Sequence, residues 1–187
     1  MHLQPAFYRL IFKKYEVIMF KLSHSMLVFL SGLVWMIVGL WLLPLGLNLL
    51  LSDTQTGLIV DSSRYPLIGA LAPYFGGWEQ AALLLVAAGL LIGFFKGRYV
   101  LGKSAKRGIE RIQSFPNPAS LSKIYSPKYY ILLGTMIGLG ISIKLLGLAN
   151  DIRGFIDVAI GAALINGAVI YFREALVLRT KRLKAEG

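Results

Sequence analysis

An all-α integral membrane fold is predicted, a four-helix transmembrane bundle with the N- and C-termini both inside, and three observations predict it. Hydrophobic residues make up 56% of the 187 and charged residues only 16%, against about 25% charged in ordinary soluble domains. Four apolar stretches each approach the ~20 residues needed to cross ~30 Å of hydrocarbon at a rise of 1.5 Å per residue. Lys and Arg, finally, are confined to segments that one arrangement in the bilayer places on the same side. Disorder is excluded because the chain is far too apolar. The absence of cysteine removes disulfide scaffolds, thiol nucleophiles and thiolate metal sites.

Residues 1–24 form a cytoplasmic or interfacial segment. Within it Phe7, Leu10, Ile11, Tyr15 and Ile18 alternate with Arg9, Lys13 and Lys14, the pattern of an amphipathic helix lying in the inner interface. A plain cytoplasmic extension of the first span is the alternative. Residues 25–187 form a single transmembrane domain with spans at about 25–51, 78–95, 129–148 and 155–172. The first span is uncharged and has Pro44 near its far end, where a missing backbone hydrogen bond is expected to kink or end the helix. Its apolar run of about 27 residues exceeds the 7–15 of a signal peptide, and no cleavage pattern is convincing, so it is read as a retained anchor. The outer loop 52–77 ends in Tyr65–Phe75, a stretch too short to span and too apolar to float in water. A re-entrant or surface-lying element is expected there. A basic cytoplasmic loop, 96–128, joins the second span to the third.

Charge sets the orientation. Four of the 20 Lys and Arg precede the first span, eight lie between the second and third, and five follow the fourth. Loops rich in Lys and Arg stay cytoplasmic, so 17 of 20 agree on one arrangement. Trp78 on the outer side and Tyr99, Tyr129, Tyr130 and Tyr171 on the inner side fall where aromatic belts form. With an offset of 75, Arg98 matches Arg173, Leu101 matches Leu176, Lys106 matches Lys181 and Arg107 matches Arg182. Two parallel helical-hairpin repeats are one explanation; the shared cytoplasmic ending of any two such helices is the other.

Small residues recur at packing intervals: Gly32 and Gly39 in the first span, Gly89 and Gly93 in the second, Gly134 and Gly138 in the third, Ala163 and Gly167 in the fourth. Stripes of this kind let backbones approach where lipid supplies no hydrophobic drive. They serve either a homo-oligomer interface or packing within the bundle. Intramembrane polar groups are few. Lys144 is close enough to the outer end of the third span to snorkel, or it faces a pore or partner. Asn166 is the clearest mid-span polar residue, and interhelical hydrogen bonding accounts for it.

Glu79, Lys144, Asp151, Arg153 and Asp157 form the candidate outer-face polar site. Asp157 falls in or near the first turn of the fourth helix, where the dipole favours an acid, and Asp151 and Arg153 are placed to pair with Glu79 or Lys144. On the inner face Lys96, Arg98, Lys103, Lys106, Arg107 and Arg173 are expected to contact anionic lipid headgroups.

No catalytic residue, metal site or cofactor is read from the sequence. His2 and His24 lie in or beside the N-terminal segment and match no metal motif, and neither a GxSxG elbow nor a phosphate-binding loop occurs. Ser142 and Lys144, two apart on a helix, point to different faces. The leading expectation is a non-enzymatic component acting by helix packing, as a homo-oligomer or as a subunit of a larger membrane complex, in a bacterial plasma membrane or an organellar one. A small oligomeric transporter or channel near Lys144 and Asn166 is the second expectation, and an enzyme acting on lipid through Asp151 and Asp157 the third. Nucleic acid is not an expected partner, since membrane topology already demands the basic charge.

Overall fold

A computed structural model of the protein describes residues 21–52, 64–116, 118–120, 134, 138 and 146–186. Its helices are α1 (His24–Leu51), α2 (Pro66–Phe75), α3 (Trp78–Lys96), α4 (Gly102–Gln113) and α5 (Asn150–Glu186), with a π-helical turn, Gly97–Leu101, joining α3 to α4. A two-residue antiparallel pairing, Lys21–Leu22 (β1) with Ala119–Ser120 (β2), closes one end. Three helices are long and apolar enough to cross a membrane: α1, the continuous α3–α4 unit and α5. The N-terminal amphipathic segment and most of the span at 129–148 lie outside the described residues, as does Lys144. The comparison of two hairpin repeats lies outside them with that span.

Pro44 does not end α1, which continues to Leu51. The basic stretch after the second span is not a loop at its start, for α3 continues through the π turn to Gln113. The reason is periodicity. Ala105, Ile109 and Ile112 fall on one helical face and are buried in a cluster with Leu27, Tyr171 and Ala175, while Lys103, Lys106, Arg107 and Arg111 stay exposed. Lys and Arg are good helix formers, so an amphipathic helix satisfies both sets. The fourth span is also longer than expected. As α5 it runs 37 residues, about 55 Å, because the segment after Arg173 keeps helix formers such as Ala175, Leu176 and Leu178 in register. Tyr65–Phe75 contributes a helix with Pro66 at its first position, where the missing N–H costs nothing. That helix closes on Gly76 at φ 86°, a left-handed residue with open space around it.

The glycines give the packing register. A Cβ at Gly46 would lie 2.7 Å from the Gly154 carbonyl oxygen, and one at Gly39 would lie 2.9 Å from that of Gly161. Gly32 faces the Tyr171 side chain, with 2.8 Å available. As the α1 numbers fall the α5 numbers rise, so these helices are antiparallel and their backbones touch along a seam repeating every seven residues. Gly89 faces Phe155 and Val158, Gly93 faces Ala159 and Ala162, and Gly97 faces Ala163 and Asn166. The α3 and α5 helices therefore run parallel, with α5 packed against both neighbours. Six residues further on, from Gly102 to Gly108, the facing partner advances only from Ile170 to Tyr171. So α4 turns across α5, and the wide π turn is where the course changes.

Two apolar clusters bracket this glycine-lined middle. At one end Leu50, Tyr65, Ile68, Ala82, Leu85 and Val158 join α1, α2, α3 and α5. At the other, Leu27, Trp35, Ile109, Leu164 and Tyr171 join α1, α4 and α5. The second is the basic end, where α4 and the last turns of α5 display their cations.

Candidate functional site

The most specific polar arrangement among the described residues is at the end opposite the basic one, where α1 finishes and α2, α3 and α5 begin. A helix starting with proline has one orphan N–H fewer than usual, but the next two still need acceptors. In α2 no side chain of its own N-cap, Tyr65, supplies one. Asp151, in the first turn of α5, does so from 84 residues away: its Oδ2 accepts from Leu67 N at 2.6 Å and from Ile68 N at 3.0 Å. Gly69 N donates to Tyr65 O at 2.8 Å, completing the first turn of α2.

The Asp151 carboxylate is fully buried, and its Oδ1 accepts from Ile152 N at 2.7 Å. A buried charge persists where several donors converge on it, and the positive end of the α2 dipole adds to them. Two further contacts tie the same elements together. Asn150 N donates to Arg64 O at 3.1 Å, and Asn150 Nδ2 donates to Tyr65 Oη at 3.4 Å.

The other expected members of this site do not converge on Asp151. Arg153 pairs with Asp157 on its own helix, Nε to Oδ2 at 3.9 Å, because positions four apart share a face. Glu79 sits exposed in the first turn of α3, where it complements the helix dipole. The pairing of Asp151 or Arg153 with Glu79 is thus replaced by backbone capping and an in-helix ion pair.

Asn166 Nδ2 donates to Ala162 O at 2.9 Å within α5, and among the described residues it makes no hydrogen bond to another helix. Gly97 packs against the Asn166 Cβ and offers no side chain to bond.

Of the small residues, Gly32, Gly39, Gly89 and Gly93 face α5, and Gly167 faces the Trp35 ring and Leu101. The Ala163 backbone lies against Gly97. Gly134 and Gly138 have nothing among the described residues within 4 Å of a Cβ position. Lys96, Arg98, Lys103, Lys106, Arg107 and Arg173 are all exposed at or toward the basic end.

Sequence reasoning missed the partners. Gly154 and Gly161 form the α5 half of the heptad seam and have the same spacing as Gly39 and Gly46, a signal present in the numbers alone. His24, dismissed as a ligand, ties the start of α1 to the segment after α4, its Nε2 lying 3.0 Å from Phe115 O. Among the described residues no three His, Asp or Glu side chains gather as a metal set. Comparison with protein-family models, curated proteins and solved structures finds no match.

Proposed function

We propose that this chain is a non-enzymatic membrane component that works by helix packing, either with copies of itself or as a subunit of a larger membrane complex. One observation carries the reading. Among the described residues Asp151 and Asn166 bond to the chain's own backbone. Close backbone approaches at Gly39, Gly46, Gly93 and Gly97 join α1 and the α3 unit to α5, while the outward surfaces bear large apolar side chains. Ile37 is 59% exposed, Trp41 71% and Leu91 58%. Outward apolar faces of this kind suit lipid and neighbouring transmembrane helices alike. In this reading the basic end and both termini face the cytoplasm of a bacterial inner membrane, following the Lys and Arg bias, and the basic end meets anionic lipid.

Native mass spectrometry of the protein gently extracted from its own membrane tests the proposal. A homo-oligomer of fixed stoichiometry, or stoichiometric foreign subunits, is the expected result. A chain recovered only as a monomer carrying lipid, from membranes crosslinked before extraction, would contradict it.

A further inference from the structure

The α1 helix carries two seams, of which the single chain uses one. Gly32, Gly39 and Gly46 turn one face to α5. On the far side Met26, Leu30, Leu33, Ile37, Leu40 and Pro44 follow one another at alternating steps of four and three, the spacing of a and d positions in a heptad. At 3.6 residues per turn these six fall within about 80° of one another and roughly 140° round from the glycines. Leu30 is partly buried and the other five are exposed.

Lipid is a poor cover for the part of this stripe nearest the basic end. Gly39 and Gly97 both pack within residues 161–166 of α5, so Lys96 and Arg98, exposed on either side of Gly97, stand level with Gly39. Gly32 and Gly108 both meet Tyr171, which sets α4 and its exposed cations level with Gly32. The apolar face of α1 nevertheless continues to Met26, 13 residues beyond Gly39 and six beyond Gly32. At helical rise these are about 20 and 9 Å. One leaflet boundary cannot follow both sides of the bundle. The cations need headgroups or water where α3 and α4 present them, while Met26, Leu30 and Leu33 need apolar cover past the level of Lys96 and Arg98. Stretching the bilayer to supply it costs free energy with every ångström of mismatch; a packed helix covers the same face without that.

Charge selects the occupant. The chain has a net charge of +11, so copies meeting through α4 or the last turns of α5 would set cations against cations. Of the three helices long enough to cross a membrane, only α1 has no Asp, Glu, Lys or Arg. Copies inserted the same way meet about a two-fold axis that brings the same residues of each into contact, and parallel helices with apolar a and d positions interdigitate at a small crossing angle. We infer that a second copy of this chain docks on the outward face of α1, the two α1 helices packing in parallel along the stripe from Met26 to Pro44. The inference rests on the assembly reading in its self-association form and names the surface that serves it.

The test uses the full chain, which has no cysteine of its own, with single cysteines oxidised by copper phenanthroline in native membranes. Leu33→Cys, Ile37→Cys and Leu40→Cys are expected to give disulfide-linked dimers. Val34→Cys and Val38→Cys, exposed on the flank of α1, and Leu91→Cys, exposed on α3, are expected to give few. Truncation then measures the strength of the contact. Leu33→Ala/Ile37→Ala should raise the dimer's dissociation constant in vesicles at least about tenfold, while Val34→Ala/Val38→Ala leaves it unchanged. All of these side chains are exposed in the single chain, so truncating them opens no core, and helical circular dichroism verifies that the fold is kept. Equal cross-linking at stripe and flank positions, the mark of random collision, would overturn the inference. Dimers joined through Leu91→Cys alone, or cross-links from α1 to a different polypeptide, would also overturn it and leave the assembly reading standing. A chain that stays monomeric in every variant and by native mass spectrometry would contradict both.

Discussion

Replacing Asp151 by Ala is expected to unfasten α2 from the bundle. The substitution strands the Leu67 and Ile68 N–H groups, which have no other acceptor among the described residues, and Ile68 is fully buried. A buried donor left without a partner costs roughly 1–3 kcal/mol. With two stranded, and the charge–dipole attraction lost as well, the expected destabilisation is about 3 kcal/mol or more. Asp151→Asn keeps one acceptor oxygen and should lose about 1 kcal/mol. Thermal unfolding in detergent measures the totals, and hydrogen exchange of the peptide covering Pro66–Phe75 locates them. Protection there should fall sharply in the Ala variant while the α1 and α5 seam stays protected. Unfolding and exchange unchanged from the parent would show that Asp151 does not hold α2.

The second large effect is expected at the seam between α1 and α5. A Cβ at Gly39 would stand 2.8 Å from Ile165 Cγ1 and 2.9 Å from the Gly161 carbonyl oxygen. One of these obstacles is backbone and cannot rotate away. Even Gly39→Ala must therefore separate the helices, at a cost of about 1–3 kcal/mol, and Gly39→Leu should cost more or prevent folding. Gly161→Ala attacks the same contact from the other side, its Cβ meeting Leu43 N at 2.8 Å and Gly39 O at 3.1 Å.

Because a single separation relieves both clashes, the double Ala variant should be less destabilised than the two singles combined. Gly134→Ala, where nothing among the described residues lies within 4 Å, should leave stability within about 0.5 kcal/mol of the parent. Additive losses at Gly39 and Gly161, or a loss at Gly134 as large as theirs, would contradict the seam.

The parts of this arrangement legible in the sequence were those set by local pattern. An uncharged run from Met26 to Leu51 reads directly as a helix able to span, and the seven-residue spacing of Gly32, Gly39 and Gly46 marks one face of it. What that face meets depends on register between helices more than a hundred residues apart. The matching spacing of Gly154 and Gly161 becomes meaningful only once the chain has folded.

Asp151 is the sharpest case. Its position at a helix start suggests service to its own helix or to a nearby cation, and its actual partners are two backbone amides 83 and 84 residues away. Side-chain types cannot reveal a demand created by the orphan N–H groups of another segment. The segment 102–113 was misread for a different reason. Its charge was weighed as a loop signal, while the apolar spacing of Ala105, Ile109 and Ile112 was the stronger fact. Depth was hidden too, because Lys96 and Arg98 end an apolar run in the sequence and yet lie beside the middle of one in the fold.

The central proposal is that α1, α3 and α5, packed as one unit with α3 and α5 parallel, cross the bilayer with their basic ends on the cytoplasmic side. The natural absence of cysteine makes the direct measurement clean. Single cysteines at Tyr74, on the exposed edge of α2 and 84% accessible, and at Ser114, just after α4, are probed in intact cells with a membrane-impermeant maleimide. Labelling of Tyr74→Cys in intact cells, with Ser114→Cys labelled only after the membrane is opened, is the predicted result. Labelling of both positions from one side, or the reverse pattern, would contradict the account.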